Sequence, residues 1–176
     1  DDQNEVFVAV FGEQKIVALD AQTGAITADV ATAIAPFRIA RGSGRRVYYV
    51  EEDVFSAIRR VDLETGEDDE LTDVEFHEPD LESTSDGLTL FLGESQAPGS
   101  RLFRFDGSDG IVEVDSFRFD GGFGLPSPER QIFLAPDENR LYFADRAFVT
   151  DDLGHARGWI GAQVIAVSPD GNIAST

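Results

Sequence analysis

Four evenly spaced apolar runs, a turn motif after each, and the lack of any helical period predict an all-β chain folded as a β-propeller. The runs are Val6-Phe7-Val8-Ala9, Val47-Tyr48-Tyr49-Val50, Leu90-Phe91-Leu92-Gly93 and Leu141-Tyr142-Phe143-Ala144. Their first residues lie 41, 43 and 51 positions apart, close to the roughly 40–45 residues of a four-stranded blade. β-Branched and aromatic side chains dominate them, as a packed, pleated surface requires. The one competing stretch, 31–35, is too short for a helix and is stopped by Pro36.

Each unit reads as strands a to d, with the apolar run as strand b. Strand c follows as Ile16-Val17-Ala18-Leu19-Asp20, Ile58-Arg59-Arg60-Val61-Asp62, Leu102-Phe103-Arg104-Phe105-Asp106 and, in the last unit, Val164-Ile165-Ala166-Val167. Each c strand runs into a tight turn closed by Gly24, Gly66, Gly110 or Gly171. An Asp carboxylate there bonds its own backbone two residues on, and Gly supplies the positive φ that closes a hairpin. Strand d leaves the turn over 25–30, 70–74 and 111–117, and residues 172–176 begin a last one. Strand a precedes b over 37–41, 81–84 and 131–135, whereas only five residues precede Val6.

The expected organisation is a single propeller domain or segment, with blades over about 1–36, 37–79, 80–129 and 130–176, three complete and one partial. An open stack of this kind leaves apolar blade faces uncovered at its ends. The expectation is therefore a segment of a larger propeller of about 6–8 blades, completed by further blades from the same or another chain.

Several of these residues carry a family resemblance. Ala135-Pro136-Asp137 precedes the run at Leu141, and His77-Glu78-Pro79-Asp80 leads to Ser85-Asp86-Gly87. Asp20-x-x-x-Gly24 and Asp62-x-x-x-Gly66 repeat the same turn. Over nearly the whole chain the repeat resembles bacterial β-propellers of the YVTN and TolB-like type. The YVTN tetrapeptide is absent, as is the tryptophan-docking pattern of quinoprotein dehydrogenases. Such propellers host binding, scaffolding and hydrolytic roles. The resemblance implies an extracellular or periplasmic location and brings in metal-dependent lactonases, which hold a cation in the channel.

Composition removes several classes. The 176 residues carry 14 Lys and Arg against 34 Asp and Glu, a net charge of −20, so a nucleic-acid backbone is not the partner. A hydrophobic content of 41% separates the chain from acidic disordered tails. No apolar run approaches the length of a membrane span. The lack of Cys leaves no disulfide, thiolate metal site or cysteine nucleophile. Met is absent too, from which a processed or excised chain is expected. Lys15 is the only lysine beside 13 arginines. Salt adaptation and a GC-rich codon preference both fit that bias.

Two groups of residues are candidates for function. Connections b–c and d–a open around the channel mouth, and a–b and c–d on the opposite face. The last unit is expected to carry a b–c insertion over 145–161, with Asp151, Asp152, His155, Arg157 and Trp159. Its preceding d–a connection, 120–128, is also long, and long loops in compact repeats are usually functional or mobile. This loop-rich acidic face is the candidate surface for a protein or small-molecule ligand. The second group is Glu51, Glu94 and Asp145, at one aligned position after strand b, joined by His77, Glu78 and Asp80 from a d–a loop. Converging carboxylates suit Ca²⁺, and His with carboxylates suits another divalent cation; a solvated acidic rim with Arg146 or Arg157 as counter-ions is the alternative. No motif spacing marks a metal loop, and two histidines without a nucleophile elbow build no triad. The favoured function is a non-catalytic binding domain, and the alternative is a metal-assisted hydrolase of the lactonase type.

Overall fold

The computed structural model describes residues 4–53, 55–94, 100–108, 110–118, 131–143, 146–160, 164–168, 170 and 173–175. Strands β1 (Glu5–Val10), β2 (Lys15–Asp20) and β3 (Ile26–Ala31) form a three-stranded sheet, with one 3₁₀ turn at Phe11–Glu13. The next sheet joins β4 (Arg38–Arg41), β5 (Arg46–Val50), β7 (Arg59–Asp62) and β8 (Asp68–Glu70). A small ribbon of β6 (Phe55–Ser56) and β9 (Phe76–His77) branches from it. The third sheet is β10 (Asp80–Ser83), β11 (Thr89–Glu94), β12 (Arg101–Asp106) and β13 (Val112–Arg118). The fourth is β14 (Ile132–Leu134), β15 (Arg140–Phe143), β16 (Arg146–Val149) and β17 (Gly158–Trp159). Finally β18 (Val164–Val167) pairs with β19 (Ile173–Ser175). All pairings are antiparallel and follow chain order, so each sheet is a meander, or blade. The first strands β4, β10, β14 and β18 contact one another in succession. They are therefore the innermost strands.

The turns form as their chemistry dictates. Asp20 Oδ1 accepts the N–H groups of Gln22 and Thr23 at 3.0 and 2.7 Å. Asp62 Oδ1 repeats this with Glu64 and Thr65 at 2.9 and 3.1 Å. Gly24 and Gly66 close these hairpins at φ 71° and 77°, a conformation that costs an L side chain roughly 1–2 kcal/mol.

Alternation along strand b sorts the core. The first and third positions of each run face the preceding blade, and the second faces the following one. Val47 and Tyr49 meet Ile16 and Ala18 of the first blade. Tyr48 turns the other way, toward Leu90 and Leu92. Phe91 in turn meets Leu141 and Phe143, and Tyr142 packs with Ala135 against Val167 of β18. An aromatic at the second position thus fills each blade-to-blade interface.

Three expectations need correction. The last blade takes its strand c from Arg146–Val149, not from 164–167, because Phe148 is fully buried against the third blade. The expected b–c insertion is therefore not one: its described residues 146–160 include strands c and d, Arg146–Val149 and Gly158–Trp159, and Val164–Val167 starts a further unit. In that unit β18 pairs with β19; Pro169 and Gly171 of the expected turn lie outside the described residues. In the second blade, strand d is Asp68–Glu70 rather than 70–74. Arg59 fixes that register by reaching Asp68 at 3.1 Å and Glu70 at 2.8 Å. His77 lies on the β6–β9 ribbon rather than in an open loop.

Candidate ligand-binding site

The channel-mouth candidates divide. Glu94 ends β11 directly opposite Arg101 of β12. Its side chain is 0% exposed and accepts from Arg101 Nε and, at 3.2 Å, from the His77 backbone N–H. The guanidinium that meets Glu94 is thus Arg101, not Arg146 or Arg157, and the carboxylate is interior rather than on a solvated rim. His77 itself is held by the Phe55 ring edge-on at 5.3 Å. Its Nδ1 is buried without a hydrogen bond, 3.7 Å from Glu78 Oε2. The Glu51 N–H donates to Ser56 Oγ at 3.0 Å, on the strand that pairs with Phe76–His77. Burial raises the Glu51 pKa, and the charges of Asp53 and Glu75 add to it. Asp145 and the 120–128 loop lie outside the described residues.

Among the described residues no group of three or more His, Asp and Glu is placed to hold a metal. Glu94 Oε1 accepts from Arg101 Nε and Oε2 from the His77 N–H.

Asp80 is tied into the inner ring instead. Its Oδ2 accepts the Ile132 N–H at 3.0 Å and its Oδ1 lies 3.4 Å from Arg38 Nε, so one carboxylate spans three successive inner strands. Burial nevertheless raises its pKa above the usual value. Two residues along β10, Glu82 is pushed up to about 7, by burial first and then by the Asp80 charge.

The second group comes together on the outer side of the fourth blade. Residues 150–157 connect β16 to β17, a c–d loop, so the loop lies on the face opposite the channel mouth. Its neighbours agree: Thr150 Oγ1 donates to the Glu138 carbonyl of an a–b turn at 2.7 Å. The loop is anchored. Leu153 is fully buried and its N–H donates to Asp115 Oδ2 at 2.6 Å, while Arg104 reaches the Thr150 carbonyl at 3.0 Å. Beside this loop opens a cleft of about 420 Å³, lined by Arg146, Ala156, Arg157 and Gly158. That volume is in the range of small-ligand sites. Arg157 is held by Asp152 at 2.6 Å, and Arg146 lies 6.0 Å from the Phe117 ring centre. Asp151 and His155 are exposed on the same loop, and the Trp159 backbone pairs with Arg146.

Sequence reasoning named Arg157 but missed Arg146 as a lining residue, and missed Arg101 and Arg38. A signal existed for Arg101, whose pairing with Glu94 follows from the b–c hairpin register. None existed for Arg38, whose partner Asp80 lies in another blade.

No protein-family model and no curated protein matches the chain. Solved structures do match. A nidogen/laminin complex aligns at TM-score 0.62 with 14% identity, over 88% of this chain and 60% of that one. Hydrazine synthase of Kuenenia stuttgartiensis aligns at 0.56 with 20% identity, over 80% and 38%. TolB from Acinetobacter baumannii aligns at 0.53 with 16% identity, over 78% and 34%. Identities this low speak to the fold alone, and the fold is a β-propeller. The chain spans between 34% and 60% of the length of these matched structures. Among the described residues no helix is long and apolar enough to cross a membrane.

Proposed function

We propose that this chain is a non-catalytic binding or scaffolding domain, and that its contact surface is the c–d loop of the fourth blade with the adjoining cleft. The observation that carries this is the pair Arg146 and Arg157 on one cleft in a chain of net charge −20. Guanidinium groups recognise a carboxylate or a similar anion, often in bidentate fashion. The ligand is an anionic small molecule or an acidic segment of a partner protein. A protein partner gains support from the matched propeller of the nidogen/laminin complex. The resemblance to exported propellers supports an extracellular or periplasmic setting.

The test is thermal stabilisation by citrate and by an oligo-aspartate peptide, at constant ionic strength. The expected result is a rise in Tm that Arg146→Ala with Arg157→Ala abolishes; the better of the two probes identifies the ligand class. An equal rise in the double variant would overturn the assignment. Lactone hydrolysis that a chelator removes would favour the hydrolase reading instead.

A further inference from the structure

The cleft of the fourth blade carries a carboxylate of its own. Asp152 Oδ2 accepts from Arg157 Nη2 at 2.6 Å, with the two side chains 43% and 56% exposed. Asp152 is fixed from several sides. Its backbone bridges to Val149, and its N–H donates to the Val149 carbonyl at 3.1 Å. Its Oδ1 accepts the Gly154 N–H at 3.1 Å. The next residue, Leu153, is fully buried and tied to Asp115. The Arg157 side chain is held less firmly, because among the described residues Asp152 is its one hydrogen-bond partner.

We propose, resting on the reading of this cleft as a carboxylate site, that Asp152 is its internal competitor: it holds Arg157 until a ligand carboxylate displaces it. The contact already made is the one a ligand would make, a guanidinium N–H on a carboxylate oxygen. Nη2 belongs to both edges by which a guanidinium grips a carboxylate in bidentate fashion, so ligand and Asp152 meet at the same nitrogen. Asp152 cannot follow Arg157 outward, because Val149 and Gly154 hold it in the loop. Binding a ligand therefore parts the pair. The competitor is always present, since it is tethered in the same loop, but an ion pair this exposed is weak. It raises the ligand concentration the cleft needs and does not close the cleft.

The experiment is isothermal titration of the whole chain with citrate at constant ionic strength. Asp152→Asn keeps an oxygen for the Gly154 N–H but presents no charge to Arg157, and it should tighten citrate roughly two- to fivefold. That gain should vanish in an Arg157→Ala background, because it acts through that guanidinium. Asp137→Asn is the control. It removes the same charge from an exposed a–b turn of the same blade, keeps an acceptor for the Asn139 N–H, and should leave the affinity unchanged. Weaker binding by Asp152→Asn would make Asp152 a positioning residue for Arg157 and overturn the proposal. Unchanged binding, or equal tightening by Asp137→Asn, overturns it too. Those outcomes leave the cleft itself assigned. Wild-type binding that survives Arg146→Ala with Arg157→Ala, or no binding by wild type and Asp152→Asn alike, overturns the cleft assignment and the competitor with it.

Discussion

Asp80 Oδ2 accepts the backbone N–H of Ile132 at 3.0 Å, joining the innermost strands of the third and fourth blades through a side chain rather than a ladder. Truncation as Asp80→Ala leaves that donor without its acceptor, and an unmet buried donor costs about 1–3 kcal/mol. Asp80→Asn keeps an acceptor and should cost less, because burial already favours the neutral form of Asp80. Urea denaturation of both variants checks the order; equal losses would show that the charge toward Arg38 matters more than the hydrogen bond.

Glu82 predicts the shape of the pH profile. Its folded pKa, about 7, lies above the ordinary value of 4.5. Both states hold the proton below pH 4.5. As pH rises toward 7 the unfolded chain releases it first, so stability falls across that interval. The turn carboxylates Asp20, Asp86 and Asp106 have lowered pKa values, through hydrogen bonds from Thr23, Thr84 and Ser108 in turn. Their contribution is present above the ordinary value of 3.8 and is lost as pH falls through their lower folded values. Tm should therefore peak between about 4 and 6. Glu82→Gln should gain about 1–3 kcal/mol at pH 8 and nothing near pH 4. A gain that does not depend on pH would point to packing instead.

Two glycines with similar φ should respond very differently to alanine. Gly66, at φ 77°, has open space where a Cβ would stand. Gly66→Ala should cost only the left-handed conformation, about 1–2 kcal/mol. Gly87, at φ 69°, places its missing Cβ against the Gly42 carbonyl of the neighbouring blade. Gly87→Ala adds backbone displacement to the same strain and should lose the cooperative thermal transition before Gly66→Ala does. Equal melting temperatures would contradict the close approach of these two turns.

Arg101→Ala leaves the Glu94 carboxylate buried without its cation. A fully buried pair broken in this way costs about 3–5 kcal/mol. Arg101 is 37% exposed, so about 2–3 kcal/mol is expected here. The double variant with Glu94→Gln should recover part of that loss, and a double-mutant cycle in urea measures it.

Charge repulsion at net −20 predicts that Tm rises as salt screens it, from about 0.1 M to about 2 M NaCl. A flat titration would leave the arginine bias to codon preference.

The sequence by itself determined the strands and turns, because both are local. Alternation in Val47-Tyr48-Tyr49-Val50 and the Asp62-x-x-x-Gly66 hairpin need no distant residue to be read, and the second and third blades follow from them. The tertiary structure alone decided the fourth blade's strand c. Arg146–Val149 is only four residues long with one fully buried side chain, Phe148, too little for a period to show; its burial against Leu141 and Leu153 makes it a strand. The same holds for the candidate sites. An acid at the end of β11 reads as a rim residue until β12 brings Arg101 opposite it. Arg146 and Arg157 stand 11 residues apart in the sequence, and they share a cleft only because β16 and β17 pair around an anchored loop. Side-chain partners set by strand register across blades are long-range contacts, and a linear pattern carries no record of them.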